Sequence, residues 1–141
     1  MIEWYKKVVF ENYANFKGRA RRSEYWYFAL ANGIISILLI VLGAILGGIF
    51  GDAITGGIIG YAFFGLYTLA TIIPTLAAVV RRLHDVGKSG WFYFICLVPL
   101  VGSIWLLILL FTEGEQGTNQ YGTDPKNNIE EINEIGKVEL Q

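Results

Sequence analysis

Charged side chains are scarce in this sequence, and the scarcity has a location. Only 16% of the 141 residues are Asp, Glu, Lys or Arg, against roughly 25% in an average soluble domain. None falls between Glu24 and Asp52, between Asp52 and Arg81, or between Lys88 and Glu113. Those gaps hold 27, 28 and 24 residues. Cysteine is nearly absent as well. Cys96 stands alone, which excludes an internal disulfide and leaves the redox compartment undetermined. Histidine is limited to His84, and a catalytic zinc takes three protein ligands. Glu113, Glu115 and Asp124 lack the alternating oxygen ligands and closing Glu of a calcium loop. No metal and no cofactor are therefore expected, and nothing points to nucleic acid.

What fills the gaps is apolar. Hydrophobic residues make up 54% of the chain, and a membrane-spanning helix needs about 20 of them in a row. The expected fold is an all-α membrane protein: three transmembrane helices preceded by a short amphipathic interfacial helix. The interfacial helix is expected at about 2–17, where Ile2, Tyr5, Val9, Tyr13 and Phe16 recur at spacings of three and four, as on one helix face. The spans are expected at about 26–50, 54–80 and 91–111, with an outer turn motif at 114–125. Residues 1–125 read as a single membrane domain. Residues 126–141 read as an acidic tail with too few apolar residues for much order. The first span follows a charged, aromatic segment and exceeds the length of a signal-peptide core, so it reads as retained. Pro74 lies inside the second span and removes a backbone donor. Gly87 suits a left-handed helix stop. Ser23 and Ser89 suit helix N-caps.

Charge then gives an orientation. Six Lys or Arg precede the first span, none lies between the first two, and three follow the second. Lys126 and Lys137 are the remaining two. Cationic residues collect on the cytoplasmic side, so the amino terminus is expected inside and, with three crossings, the carboxyl terminus outside. The expected location is the bacterial inner (plasma) membrane.

Two basic segments, "GRARRSE" and "RRLHD", then share the cytoplasmic face. A tight turn joins the first two spans, so the start of one lies beside the end of the other. Glu24 is expected to meet Arg81 or Arg82, and Asp85 to meet Arg19, Arg21 or Arg22. His84 is expected to pair with Asp85. The resulting collar of Arg19, Arg22, Glu24, Arg81, Arg82, His84 and Asp85 is the candidate binding site, for anionic lipid headgroups or a partner. Gly43, Gly47 and Gly51, with Gly56 and Gly60, recur every four residues. That spacing serves close packing of the two spans or a homo-oligomer.

Three functions follow from these residues. The leading one is a non-enzymatic structural or interaction protein whose collar orders the helices. The second is a membrane enzyme on a lipid-linked substrate, with His84 and Asp85 as acid and base. It lacks a nucleophile or phosphate-cradling loop beside them. The third is an oligomeric channel or transporter subunit lined by Asn32 and the threonines Thr68, Thr71 and Thr75. The spans carry none of the ionisable groups that usually mark an ion path.

Three stretches also carry a family resemblance. "NFKGRARRSEYWYF" matches F-x-G-R-a-x-R-x-E-y-W through Gly18, Arg19, Arg22, Glu24 and Trp26. "RRLHDVGKSGW" matches R-R-L-H-D-x-g-x-S-G-W through Arg81, Arg82, Leu83, His84, Asp85, Gly87, Ser89, Gly90 and Trp91. "GEQGTNQYGTDP" matches G-x-x-G-x-N-x-[YF]-G-x-D-P through Asn119, Tyr121, Gly122, Asp124 and Pro125. Together, over about residues 1–125, they resemble domain of unknown function family 805, the YhaH-like small bacterial inner-membrane proteins. The resemblance implies a bacterial inner-membrane protein with three spans and no established activity.

Overall fold

Two long apolar helices dominate the protein. The computed structural model describes residues 1–126; the acidic tail expected at 126–141 lies, beyond Lys126, outside the described residues. The regular structure described is helical, with one isolated bridge between Asn119 and Gly122. Helix α1 spans Ile2–Lys6 and runs into a π-helical turn at Lys7–Glu11. Helix α2 spans Arg22–Ile49, and α3 spans Ala53–Asp85. A 3₁₀ segment follows at Gly90–Leu97, then α4 at Val101–Phe111. Both α2 and α3 are apolar and long enough to cross a membrane.

The chain forms two compact units. The first holds Met1–Tyr13 and Trp26–Thr75. Here α2 and α3 lie antiparallel with their glycines in contact. A Cβ on Gly47 would stand 2.5 Å from Gly56 Cα, and one on Gly43 would collide with Gly60. The four-residue glycine spacing thus serves packing between α2 and α3. Asp52 turns the chain between them: its carboxylate accepts from Ile54 N–H at 3.0 Å and from the Thr55 hydroxyl, as a helix N-cap does.

Proline shapes this unit too. Pro74, inside α3, has no N–H for the carbonyl four residues back. That carbonyl belongs to Ala70, and the Tyr13 hydroxyl donates to it at 2.7 Å. Nearby, Tyr5 and Tyr67 share a hydroxyl contact at 3.2 Å, and Tyr67 donates to Asn32 Oδ1. Thr68 and Thr71 donate to the carbonyls of Phe64 and Tyr67 on their own helix, at 2.8 and 2.9 Å. Both threonine hydroxyls thus bond their own helix, whereas Asn32 on α2 accepts from Tyr67 on α3.

The amino-terminal helix is shorter than the expected 2–17. It ends at Glu11, where the Asn12 side chain donates to Lys7 O at 3.0 Å. Asn15 then accepts from Lys17 N–H at 3.1 Å, a local turn that competes with helix. The π turn also shifts the inward face. Val8 is buried rather than Val9, because a π turn takes more residues than the 3.6 of an α turn.

The second unit holds Ala14–Tyr25 and the chain from Leu76 onward. Ser23 is not the N-cap expected of it, since α2 already begins at Arg22. Helix α3 stops at Asp85 as foreseen. Gly87 has φ +71°, Gly87 N–H donates to His84 O at 3.1 Å, and Lys88 N–H to Leu83 O at 2.9 Å, the glycine-dependent helix stop. Ser89 caps the 3₁₀ segment by accepting from Trp91 N–H at 3.4 Å.

The third apolar run departs from the expected 91–111 helix. It breaks at Val98–Leu100. Pro99 pushes the residue before it out of the helical region, and Val98 is extended at ψ 114° while Leu100 sits at φ +65°. Helix α4 is then 11 residues long, about 16 Å at 1.5 Å per residue. That is short of the roughly 30 Å of a bilayer's hydrocarbon. The 3₁₀ segment and α4 pack on each other across this bend. Both ends of the run lie beside the last turns of α3. Gly90 touches Val80, and Arg82 bonds the carbonyls of Leu110 and Thr112.

Candidate functional site

The second unit is built around three buried arginines. Arg19, Arg81 and Arg82 are 9%, 3% and 0% exposed, and the carboxylates Glu24 and Asp85 are 1% and 3% exposed. A charge taken this far from water demands a partner. Arg81 Nη1 pairs with Glu24 Oε1 at 2.7 Å. Arg19 Nε pairs with Asp85 Oδ1 at 3.0 Å, and Arg82 Nη1 with Asp85 Oδ2. The antiparallel ends of α2 and α3 thus bring the oppositely charged residues together as their sequence positions foretell. Asp85 also bridges to Arg82, three residues back on its own helix.

Three cations meet two carboxylates, and backbone carbonyls supply the remaining acceptors. Arg82 Nε donates to Leu110 O at 3.2 Å, and Nη2 to Thr112 O. Arg22 donates to Phe111 O at 3.4 Å. These carbonyls end α4, where a helix leaves acceptors unsatisfied and carries partial negative charge. Arg19 reaches further along the chain, donating to the carbonyls of Glu115 and Gly117. Glu115 N–H in turn donates to Asp85 O at 2.8 Å. Gly114 permits this approach, because a Cβ there would strike the Asp85 carboxylate.

The turn motif at 114–125 therefore lies against the collar. The sequence predicts an outer motif; the segment is hydrogen-bonded to Arg19 and Asp85.

His84 joins this turn rather than Asp85. Its ring stacks on Tyr121 with centroids 3.8 Å apart and planes 2° apart. Its Nδ1 lies 3.1 Å from Gly18 O. Asn119 Nδ2 donates to His84 O at 2.9 Å and to Glu115 Oε2 at 2.8 Å. The expected His84–Asp85 pair does not form, because both Asp85 oxygens already serve arginines. Asn119 and Tyr121 were visible as motif residues, yet nothing in the local sequence tied them to His84.

The turn is held by Asp124. Its carboxylate accepts from Lys126 N–H at 2.9 Å and from Gly117 N–H at 3.1 Å. Those bonds, with the Lys126 bond foremost, hold its pKa below the usual carboxylate value. Lys126 Nζ pairs with Glu113 at 2.5 Å, which lowers the Glu113 pKa likewise. Among the described residues no cluster of His, Cys, Asp and Glu is arranged to hold a metal ion.

A cleft of about 150 Å³ opens beside the network. Arg21, Arg22 and Ser23 line it from the start of α2, and Glu113, Glu115 and Asp124 from the turn segment. Arg22 is the one collar residue that is exposed.

Two helices of membrane-crossing length, a shorter apolar helix and a buried arginine–carboxylate network define a small helical protein of membrane type. The chain belongs to the family described as "Protein of unknown function (DUF805)", whose model matches residues 13–123. It is 41% identical over 126 residues to inner membrane protein YhaI of Escherichia coli, covering 89% of this chain and 97% of that one. It is 40% identical over 127 residues to inner membrane protein YhaH of the same organism, covering 89% and 98%. Uncharacterized protein YiiR of E. coli is 28% identical over 138 residues, covering 80% of this chain and 87% of its own. No solved structure matches the chain.

Proposed function

We propose that the protein is a non-enzymatic inner-membrane scaffold that crosses the bilayer twice and presents a locked cap on the cytoplasmic side. The relatives YhaI and YhaH, both named as inner membrane proteins, support the location. One observation carries the reading: the buried Arg82 guanidinium holds Asp85 on α3 and the carbonyls of Leu110 and Thr112 at once. The run at 90–111 then enters and leaves on one side, as a re-entrant hairpin. The basic segments before α2 and after α3 support a cytoplasmic side for it. The collar's work in this reading is internal. Its ion pairs fix the cap, and the paired Asp85 carboxylate is not free to act as a base.

Cysteine labelling tests the crossing number. In a Cys96→Ser background, Thr118→Cys and Asp52→Cys would be probed with a membrane-impermeant maleimide. Asp52→Cys is expected to react from outside intact cells, and Thr118→Cys only in inverted vesicles. Reaction of both from outside would restore three crossings and overturn the proposal. A second measurement tests the lock. Asp85→Asn is expected to expose the 113–126 segment to protease in inverted vesicles while the spans stay inserted; unchanged resistance would remove the scaffold reading.

A further inference from the structure

The arginines of this unit divide into two kinds. Arg19, Arg81 and Arg82 are buried and paired with carboxylates. Arg21 and Arg22, at the start of α2, have no carboxylate partner among the described residues. Arg22 makes a single long bond to Phe111 O, and the Arg21 side chain makes none among the described residues. Both line the cleft, beside Ser23.

The carboxylates of the cleft divide in the same way. Asp85 is neutralised by two arginines, and Glu113 by Lys126. Among the described residues, Glu115 and Asp124 accept from uncharged N–H groups, those of the Asn119 side chain and of the Gly117 and Lys126 backbone. A single cleft thus presents two guanidinium groups without a salt bridge from one segment and, from another, two carboxylates without one, among the described residues.

The depth of the cleft adds a second constraint. Arg22 and Ser23 open the apolar helix α2, and Tyr25, Trp26 and Tyr27 follow at once. Aromatic residues of this kind sit at headgroup level. The carbonyl that Arg22 touches ends the apolar helix α4. The mouth of the cleft therefore lies where lipid headgroups are, given the cytoplasmic cap proposed above.

We infer that this cleft binds a phosphoethanolamine group, as the headgroup of an aminophospholipid. Phosphate oxygens suit paired guanidiniums at a helix start. A primary ammonium suits Glu115 and Asp124, because it has three N–H donors to give. A simple anion would find those carboxylates repulsive. A choline headgroup has no N–H to donate, and quaternary ammonium is held by aromatic cages rather than carboxylates. A serine headgroup adds a carboxylate that Glu115 and Asp124 repel.

Native mass spectrometry of the full-length protein in detergent tests this. Phosphatidylethanolamine, phosphatidylcholine and phosphatidylglycerol would be offered to wild type, Arg21→Ala, Arg21→Ala/Arg22→Ala and Glu115→Gln. Wild type is expected to prefer phosphatidylethanolamine over each of the others by about tenfold, a difference of about 1.4 kcal/mol. Arg21→Ala, which breaks no bond within the described residues, is expected to weaken retention, and the double variant to abolish it. Glu115→Gln is expected to erase the preference over phosphatidylglycerol. Equal retention of all three lipids, a preference for phosphatidylglycerol, or full retention by Arg21→Ala would each overturn the inference. Soluble glycerophosphoethanolamine separates the sources. If it binds with the same dependence on Arg21, the cleft recognises the headgroup alone, and this holds even if the labelling shows three crossings. If only the lipid binds, the acyl chains are part of recognition.

Discussion

Tyr13 donates its hydroxyl hydrogen to the carbonyl of Ala70, the acceptor that Pro74 leaves without a helical donor. A defect in one helix is thus repaired by a side chain from the amino-terminal segment. Tyr13→Phe is expected to lower stability by about 1 kcal/mol, the net worth of one hydrogen bond. In a Pro74→Ala background the helix supplies its own donor, so the same change is expected to have almost no effect. Thermal unfolding of the four proteins in detergent gives the coupling directly; an equal loss in both backgrounds would show that the bond does not compensate for the proline.

The glycine contacts of α2 and α3 make a sharper pair. A methyl on Gly47 would press on the Gly56 backbone, whereas one on Gly48 meets nothing within 4 Å. Gly47→Ala is expected to cost about 1–3 kcal/mol through separation of the helices. Gly48→Ala is expected to be neutral or to gain up to about 1 kcal/mol from helix propensity. The melting temperatures of the two single variants decide it.

Arg81 and Arg82 are adjacent in sequence and unequal in bonding. Arg82 uses Nε, Nη1 and Nη2, and Arg81 binds its carboxylate through Nη1, its Nε and Nη2 having no partner among the described residues. Lysine offers a single ammonium and cannot reproduce a guanidinium fork. Arg82→Lys is therefore expected to cost about 3–5 kcal/mol, the range for a broken buried pair. Arg81→Lys is expected to cost about 1 kcal/mol. Equal losses on denaturant titration would refute this division of labour.

Acid is expected to loosen the turn at 113–126. Asp124 has its pKa held below the usual value by backbone N–H groups. A carboxylate lowered in the folded state stabilises above its unfolded pKa, and that support disappears as pH falls through the folded value. Hydrogen exchange at Gly117 should therefore be slow at pH 6 and accelerate, relative to intrinsic rates, below about pH 4, the ordinary range for Asp. Asp124→Asn should exchange faster at pH 6 and show little further pH dependence. A wild-type profile as flat as the variant's would remove Asp124 as the latch.

The two long helices were readable because charge-free runs of membrane length have few alternatives. The pairing of Glu24 with Arg81 and of Asp85 with Arg19 was readable too, since a tight turn at Asp52 forces antiparallel ends together. The third run misled for a physical reason. Its hydropathy resembles a span, and the one residue that breaks it, Pro99, resembles Pro74, which α3 absorbs. Sequence shows a proline in both places. It does not show that Ala70 has Tyr13 to repair it while the run around Pro99 bends instead. Without that bend, Asn119 and Tyr121 are not brought beside His84.

The buried arginines have a consequence for how the protein is made. Arg19 is synthesised early, yet its acceptors at Glu115 and Gly117 come almost a hundred residues later. Arg82 likewise waits for Leu110 and Thr112. Until residues 110–117 are made, these guanidiniums have Asp85 but lack their carbonyl acceptors. The segment at 112–117 therefore closes the cap after the described apolar helices have been made, and a chain truncated at Phe111 would keep the arginine–carboxylate pairs but lack the carbonyls of Thr112, Glu115 and Gly117.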